Sequence, residues 1–139
     1  MGCHVADTVL HDMDKAVALA KISDAVILVV GLDQSQEREG LDRIETTLPG
    51  LQNELVLLLF EAQPNTILVL LNGGALSLGQ DILDRAPAIV DVFYGGQAAS
   101  RALAQVLFGG LQSYGTPGGD QHVPSLIKRL YYTLGNLNF

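Results

Sequence analysis

The sequence has few of the residues that build disulfides or metal centres. Cys3 is the single cysteine, so no internal disulfide can form, and the cysteine count does not indicate an oxidising compartment. The histidines lack the spacing of metal ligands, which predicts no zinc site: His4, His11 and His122. Neither a GxGxxG nor a GKS/T motif occurs, and we expect no metal and no cofactor.

Basic residues are also scarce. The chain has 8 Lys and Arg against 15 Asp and Glu, which gives a formal net charge of −7 and a pI of about 4.6. Such a surface repels phosphate backbones and anionic lipid, so we expect neither a nucleic acid nor a membrane as a partner. A neutral ligand such as a sugar is compatible with this charge. Charged residues make up 17% of the chain, below the usual share of about 25%, which favours a sheet covered by helices.

No targeting or membrane-spanning segment is evident. The first residues hold no continuous apolar run, and the run at residues 25–30 is too short to cross a bilayer. The first residues, Met1-Gly2-Cys3, resemble the start of a myristoylation signal. Ala6, however, stands where such a signal requires Ser or Thr. We therefore expect no signal peptide in this chain and, by default, a soluble cytoplasmic protein.

Helical and strand patterns alternate along the chain. Apolar residues at helical spacing predict helices near residues 13–20, 51–62, 78–83 and 99–107, and a terminal helix near 124–134. Apolar, β-branched runs predict buried strands at residues 25–30, 66–71 and 88–93. This alternation predicts an α/β fold: a mostly parallel sheet with helices on both faces, in a flavodoxin-like three-layer sandwich.

Three loops follow the predicted strands, beginning after Gly31, Asn72 and Tyr94. In open parallel sheets, ligands gather at these carboxyl ends. The first loop, residues 31–43, is rich in charge and contains Asp33, Glu37, Arg38, Glu39, Asp42 and Arg43. A glutamate here could protonate the leaving oxygen of a glycoside. The alternative is a solvated loop with ion pairs that contribute about 0–1 kcal/mol each.

The other two loops leave similar alternatives open. The glycines of residues 72–75 could let a ligand approach the backbone, or could simply make a tight turn. In the third loop, Tyr94 and Gln97 could contact a sugar. Alternatively, Tyr94 packs at the sheet edge and Gln97 begins a helix.

Residues 25–50 carry a longer pattern, AVILVVGLDQSQEREGLDRIETTLPG. This stretch resembles the C-terminal domain of family 3 glycoside hydrolases, particularly the plant-like β-xylosidase branch. Further similar segments lie near residues 64–74, 87–97 and 104–109, so that the resemblance covers roughly residues 10–117. We therefore predict an N-terminal tail at 1–10, the family domain at 11–117, incomplete at its C-terminal side, and a divergent tail at 118–139.

The resemblance implies a retaining β-xylosidase or β-glucosidase site that is shared with a barrel domain absent from this chain. The barrel would supply the aspartate nucleophile, and this domain would supply the general acid/base. Matching S-x-E assigns that role to Glu37, which we prefer, whereas matching E-G-x-D-R assigns it to Glu39. The residues expected to contact substrate are Asp33, Gln34, Arg43, Tyr94 and Gln97. The alternative is an inactive truncated product that acts as a binding or interaction module.

The sequence also departs from the family pattern. Relatives have GYPGQ where this chain has FYGGQ at residues 93–97, and Asp91 stands inside a presumed buried strand. An unpaired buried carboxylate there would be costly. Without the barrel, we expect a substantially exposed Glu37. We also expect an uncovered apolar surface, which would leave the chain marginally stable or lead it to self-associate.

Overall fold

The computed structural model describes residues 4–9 and 12–108 in full and the backbone of residues 131–133. Helices and strands alternate in the predicted order. They are α1 (Met13–Lys21), β1 (Val26–Gly31), α2 (Gln52–Ala62), β2 (Thr66–Leu71), α3 (Gln80–Arg85), β3 (Ala88–Asp91), a 3₁₀ turn (Gly96–Ala98), α4 (Ala99–Leu107) and β4 (Tyr131–Thr133).

The strands form one parallel sheet in the order β1-β2-β3-β4. Val29 lies beside Val69, and Val69 lies beside Val90, so the strands run in register across the sheet. Gly31 pairs with Leu71 at the end of this register. A side chain at Gly31 would place its Cβ 1.9 Å from the Leu71 carbonyl oxygen, so the strand requires glycine there. The loops that follow β1, β2 and β3 therefore begin at the same edge.

Helices pack on both faces of the sheet, which confirms the predicted α/β architecture. On one face, α1, α2 and α3 cover a core that includes Val56, Phe60, Leu68, Ile82 and Ile89. On the other face, α4 covers a smaller core formed with Val69, Val90 and Val92. Full burial of one such side chain stabilises the fold by about 1.5–3 kcal/mol.

The second face of the sheet is only partly covered. Ile27, Val29 and Leu71 are 42%, 49% and 37% exposed. The prediction that the first strand is buried on both faces is therefore wrong. The reason is positional, because α4 lies over β2 and β3, whereas β1 is at the edge of the described sheet. We call these three residues the exposed strip.

Two further expectations need correction. The terminal helix predicted near 124–134 is wrong at Tyr131–Thr133, which form β4 beside β3, as suits aromatic and β-branched residues. Residues 124–130 and 134 lie outside the described residues. Asp91 is neither fully buried nor unpaired, because its Oδ1 accepts the Phe93 N–H at 3.1 Å. Burial nevertheless raises the pKa of the Asp91 carboxyl, against the opposing hydrogen bonds from Phe93 and Asn72.

Gln52 ties the end of β1 to the N-terminal segment. Its Oε1 accepts the Gly31 N–H at 2.7 Å, and its Nε2 donates to the carbonyl oxygens of Gly31 and Val5 at 2.9 and 2.7 Å. This first residue of α2 therefore fixes the point where the charged loop leaves the sheet. Within the described part of the chain, no helix is long and apolar enough to cross a bilayer.

Candidate active site

The charged loop leaves β1 at the carboxyl edge, as expected, and begins with a local turn. The Asp33 carboxylate accepts hydrogen bonds from the backbone N–H of Ser35, at 2.8 Å, and from its hydroxyl. These bonds lower the pKa of Asp33. The side chain of Asp33 is thus committed to shaping the loop, in the manner of an Asx turn.

A tight turn carries Glu39 outward. The Arg38 N–H donates to the Leu41 carbonyl at 3.1 Å, and the Leu41 N–H donates back to Arg38 at 2.9 Å. Glu39 and Gly40 occupy the tip, where Gly40 has a φ of 76° that glycine adopts without strain. Glu39 is exposed. Its carboxylate therefore projects from a closed, two-residue turn.

Glu37 lies at the same edge but is mostly covered, with 20% of its side chain exposed. One carboxylate oxygen, Oε2, accepts the Arg43 Nε–H at 2.9 Å. The other, Oε1, accepts the Gly73 N–H at 2.9 Å. The expectation that Glu37 is substantially exposed is wrong, because Arg43 and the second loop cover it.

Arg43 joins the first loop to the second. Its side chain is 13% exposed, and its Nη2 donates to the carbonyl oxygen of Ala75 at 2.8 Å. The ion pair with Glu37 is thus held by a planar guanidinium that has a second, fixed partner. Such charge-assisted bonds are stronger than neutral ones, and partial burial reduces their screening by solvent.

The second loop depends on glycine for a steric reason. A Cβ at Gly73 would lie 2.5 Å from Tyr94 Cε2 and 2.9 Å from Glu37 Oε1. The aromatic ring of the third loop and the carboxylate of the first therefore meet at this residue. Burial raises the pKa of the Tyr94 hydroxyl, and the negative charge of nearby Glu37 raises it further.

Asn72 stabilises the second loop by a hydrogen bond to its backbone. It is fully buried, and its Nδ2 donates to the Gly74 carbonyl at 2.8 Å. This bond across two residues closes the turn that presents the Gly73 N–H to Glu37. The glycines therefore leave room for side chains of the protein itself to approach the backbone closely. The sequence alone did not reveal this contact.

The structure brings together some of the predicted site residues and separates others. Glu37, Arg43 and Tyr94 meet around Gly73. Gln34 and Gln97 are exposed at the same edge, and the backbone carbonyl of Gln34 accepts a bond from Arg38 at 2.9 Å. Within residues 4–9 and 12–108, no three metal-binding side chains lie close enough to hold an ion.

The parallel sheet, with helices on both faces and its charged loop at the carboxyl edge, places the chain among open-sheet α/β domains. A family profile described as "Glycosyl hydrolase family 3 C-terminal domain" matches residues 7–118. The chain belongs to this family, as its sequence motifs predicted.

Individual relatives agree with this assignment. The chain is 44% identical over 111 residues to Beta-D-xylosidase 3 of Arabidopsis thaliana, an alignment that covers 78% of this chain and 14% of the relative. The crystal structure of a Kluyveromyces marxianus β-glucosidase in complex with glucose has a TM-score of 0.68 and 36% identity, and the match covers 72% of this chain and 12% of that one. A family 3 exo-β-xylosidase solved with a xylobiose aziridine activity-based probe has a TM-score of 0.69 and 28% identity, and the match covers 79% and 14%. The chain thus spans a small part of its relatives.

Proposed function

We propose that this domain supplies the proton-transfer carboxylate of a retaining β-glycosidase site. Joined to a barrel domain that supplies the nucleophile, it would act on β-xylosides or β-glucosides. Support comes from the acidic turn at the carboxyl edge and from relatives named as β-xylosidases and β-glucosidases. The observation that carries the proposal is the exposed Glu39 at the tip of a turn whose ends are hydrogen-bonded.

The geometry favours Glu39 over Glu37 as the general acid/base, although the sequence match placed Glu37 first. A general acid must carry a proton on an oxygen that can reach the leaving group. Both Glu37 oxygens already accept hydrogen bonds, from Arg43 and from Gly73. A neutral carboxyl group accepts hydrogen bonds more weakly than a carboxylate does, so protonation of Glu37 would weaken its bonds from Arg43 and Gly73. Glu39 has no such constraint, because its side chain is exposed.

The remaining predicted site residues fall into two groups, those bonded within the protein and those exposed to a ligand. Asp33 and Arg43 are engaged within the protein, so they shape the site. Tyr94, Gln34 and Gln97 are exposed at the edge and are proposed to contact the sugar. An aromatic ring and two amides suit a neutral, hydroxyl-rich ligand.

The proposed mechanism divides its steps between two domains. An aspartate of the barrel attacks the anomeric carbon while Glu39 donates a proton to the departing oxygen. Glu39 then removes a proton from the water that releases the sugar. Retaining enzymes hold these two carboxyl groups about 5–5.5 Å apart on either side of the scissile bond. Glu37 and Glu39 share one loop and cannot flank a sugar, so the 139-residue chain alone should not hydrolyse aryl β-xylosides.

A hybrid enzyme tests the proposal. The matching segment of the Arabidopsis β-xylosidase is replaced by this chain, and Glu39→Gln, Glu37→Gln and Glu45→Gln variants are compared. Glu45 is an exposed acid two residues beyond the first loop and serves as the matched control. Glu39→Gln should lower kcat on xylobiose by about 10²–10⁴-fold, the usual contribution of general acid–base catalysis. A hybrid that loses this activity through Glu37→Gln, while Glu39→Gln stays active, would reverse the assignment.

The exposed strip favours a second candidate, an interaction module without catalysis. Ile27, Val29 and Leu71 offer an apolar surface that a partner could cover. An inactive hybrid, combined with stable association of the chain through this strip, would favour that function.

A further inference from the structure

The Glu37–Arg43 pair connects two loops that arise from different strands. One bond, Arg43 Nε to Glu37 Oε2 at 2.9 Å, lies within the first loop. Two others reach the second loop, from Gly73 N–H to Glu37 Oε1 at 2.9 Å and from Arg43 Nη2 to the Ala75 carbonyl at 2.8 Å. The two side chains therefore form a cross-link between the loops that follow β1 and β2.

The pair differs from an ordinary surface ion pair. Exposed pairs contribute about 0–1 kcal/mol, because solvent screens them and both side chains lose freedom. Here the side chains are 13% and 20% exposed, and each makes a bond besides the one that joins them. The geometry is consequently fixed by three contacts rather than by one.

The position of the pair in the sequence gives it a further consequence. Glu37 immediately precedes the Arg38–Leu41 turn, and Arg43 follows it by two residues. The cross-link thus holds both ends of the segment whose tip carries Glu39. Tyr94, from the third loop, lies against the same contact at Gly73.

We propose that Glu37 and Arg43 are positioning residues, a brace that fixes the turn carrying Glu39 against the second loop. The catalytic consequence rests on the proposed function, whereas the brace itself is a property of the 139-residue chain. Arg43 is suited to this task because its planar fork binds the carboxylate and the Ala75 carbonyl together. Lysine would keep the charge but lose the second contact.

The brace is tested first in the chain alone, by NMR. The backbone amide of Gly73 donates to Glu37, so its hydrogen exchange should be slow in the parent chain. Glu37→Gln should accelerate this exchange, because a neutral amide oxygen is a weaker acceptor than a carboxylate. Arg43→Met should also accelerate hydrogen exchange at Gly73, while the thermal melt stays cooperative.

Arg38→Met is the matched control for loss of an arginine from the same loop. Arg38 donates to the Gln34 carbonyl, so Arg38→Met should leave hydrogen exchange at Gly73 unchanged. An unaltered exchange rate at Gly73 in Arg43→Met would overturn the brace. So would an equal acceleration of that exchange in Arg38→Met.

The catalytic consequence is tested in the hybrid enzyme. Misplacing a catalytic group by about 1 Å can cost about 10²-fold in rate. Arg43→Met and Arg43→Lys should therefore lower kcat/KM on xylobiose, whose leaving group needs a proton, and spare kcat/KM on a dinitrophenyl xyloside, whose leaving group does not. This ratio reports the step that forms the glycosyl-enzyme, so it is not affected by the later step in which Glu39 acts as a base. Equal losses on both substrates would reject the positioning role. If Gly73 responds as expected but the hybrid is inactive from the outset, the proposed function fails and the brace stands.

Discussion

Replacing Gly73 by alanine perturbs the point where the three loops meet. The added Cβ would lie 2.5 Å from Tyr94 Cε2 and 2.9 Å from Glu37 Oε1. Carbon atoms in favourable contact are about 3.5–4.0 Å apart, so the ring must move by about 1 Å or more. Tyr94 is half-exposed and can swing outward. We expect destabilisation near the lower end of the about 1–3 kcal/mol typical of overpacking.

The displaced ring should titrate differently. Burial and the charge of Glu37 raise the pKa of Tyr94, so moving the ring into solvent should lower that pKa. Absorbance of tyrosinate, taken as the difference from the Tyr94→Phe variant, isolates this residue from the other tyrosines. Glu37→Gln should lower the pKa of Tyr94 in the same direction, because the negative charge is lost.

Gly74→Ala is the matched control. Its Cβ would lie 3.2 Å from Glu37 Oε2 and 3.5 Å from Arg43 Nη2, contacts that need much smaller shifts. Tyr94 should keep its raised pKa in this variant. If Gly73→Ala left both the pKa of Tyr94 and the melting temperature unchanged, the ring would not lie against Gly73, and the described meeting of loops would be refuted.

Further predictions concern stability and association. Burial raises the pKa of Asp91, so its ionised form lowers the stability of the fold above that pKa. Asp91→Asn should therefore stabilise the fold at pH 7 by less than about 1 kcal/mol. Thermal melts should show that this gain vanishes as the pH falls to about 3. Phe93 has a φ of 52°, a conformation that asparagine tolerates better than a β-branched residue does. The melting temperature of Phe93→Asn should therefore exceed that of Phe93→Val by the equivalent of about 1–2 kcal/mol. Equal melting temperatures of the two variants would contradict this backbone conformation. The exposed strip should make the chain self-associate in sedimentation experiments despite its charge of −7. An Ile27→Thr/Val29→Thr double variant should be monomeric. A parent chain that is monomeric at high concentration would show that the strip does not drive association.

The sequence predicted the strands and helices well, because each is encoded by its own local periodicity. The predicted run at residues 66–71 is β2, and the predicted helix at 99–107 is α4. Exposure of β1 was not predictable in this way, since it depends on which strand lies at the edge and which helix covers it. The local pattern of apolar residues predicts each helix or strand, but not which other helices and strands pack against it.

The candidate site shows the same division. The acidic loop and Tyr94 could be singled out by residue type and by position after a strand. The covering of Glu37 could not, because its partner Gly73 lies 36 residues away and contributes only a backbone N–H. Gln52 was missed for a related reason, as an amide at a helix start gives no signal of its contact with Gly31.

The most direct test of the proposed proton-transfer role uses azide with the hybrid enzyme. Azide can replace a general base, because it attacks a glycosyl-enzyme without needing to lose a proton. With a dinitrophenyl β-xyloside, the Glu39→Gln hybrid should be reactivated by azide and should release β-xylosyl azide, the product of retention. The Glu45→Gln control should gain nothing. Formation of the azide adduct by the Glu37→Gln hybrid alone, with none from Glu39→Gln, would contradict the assignment of Glu39.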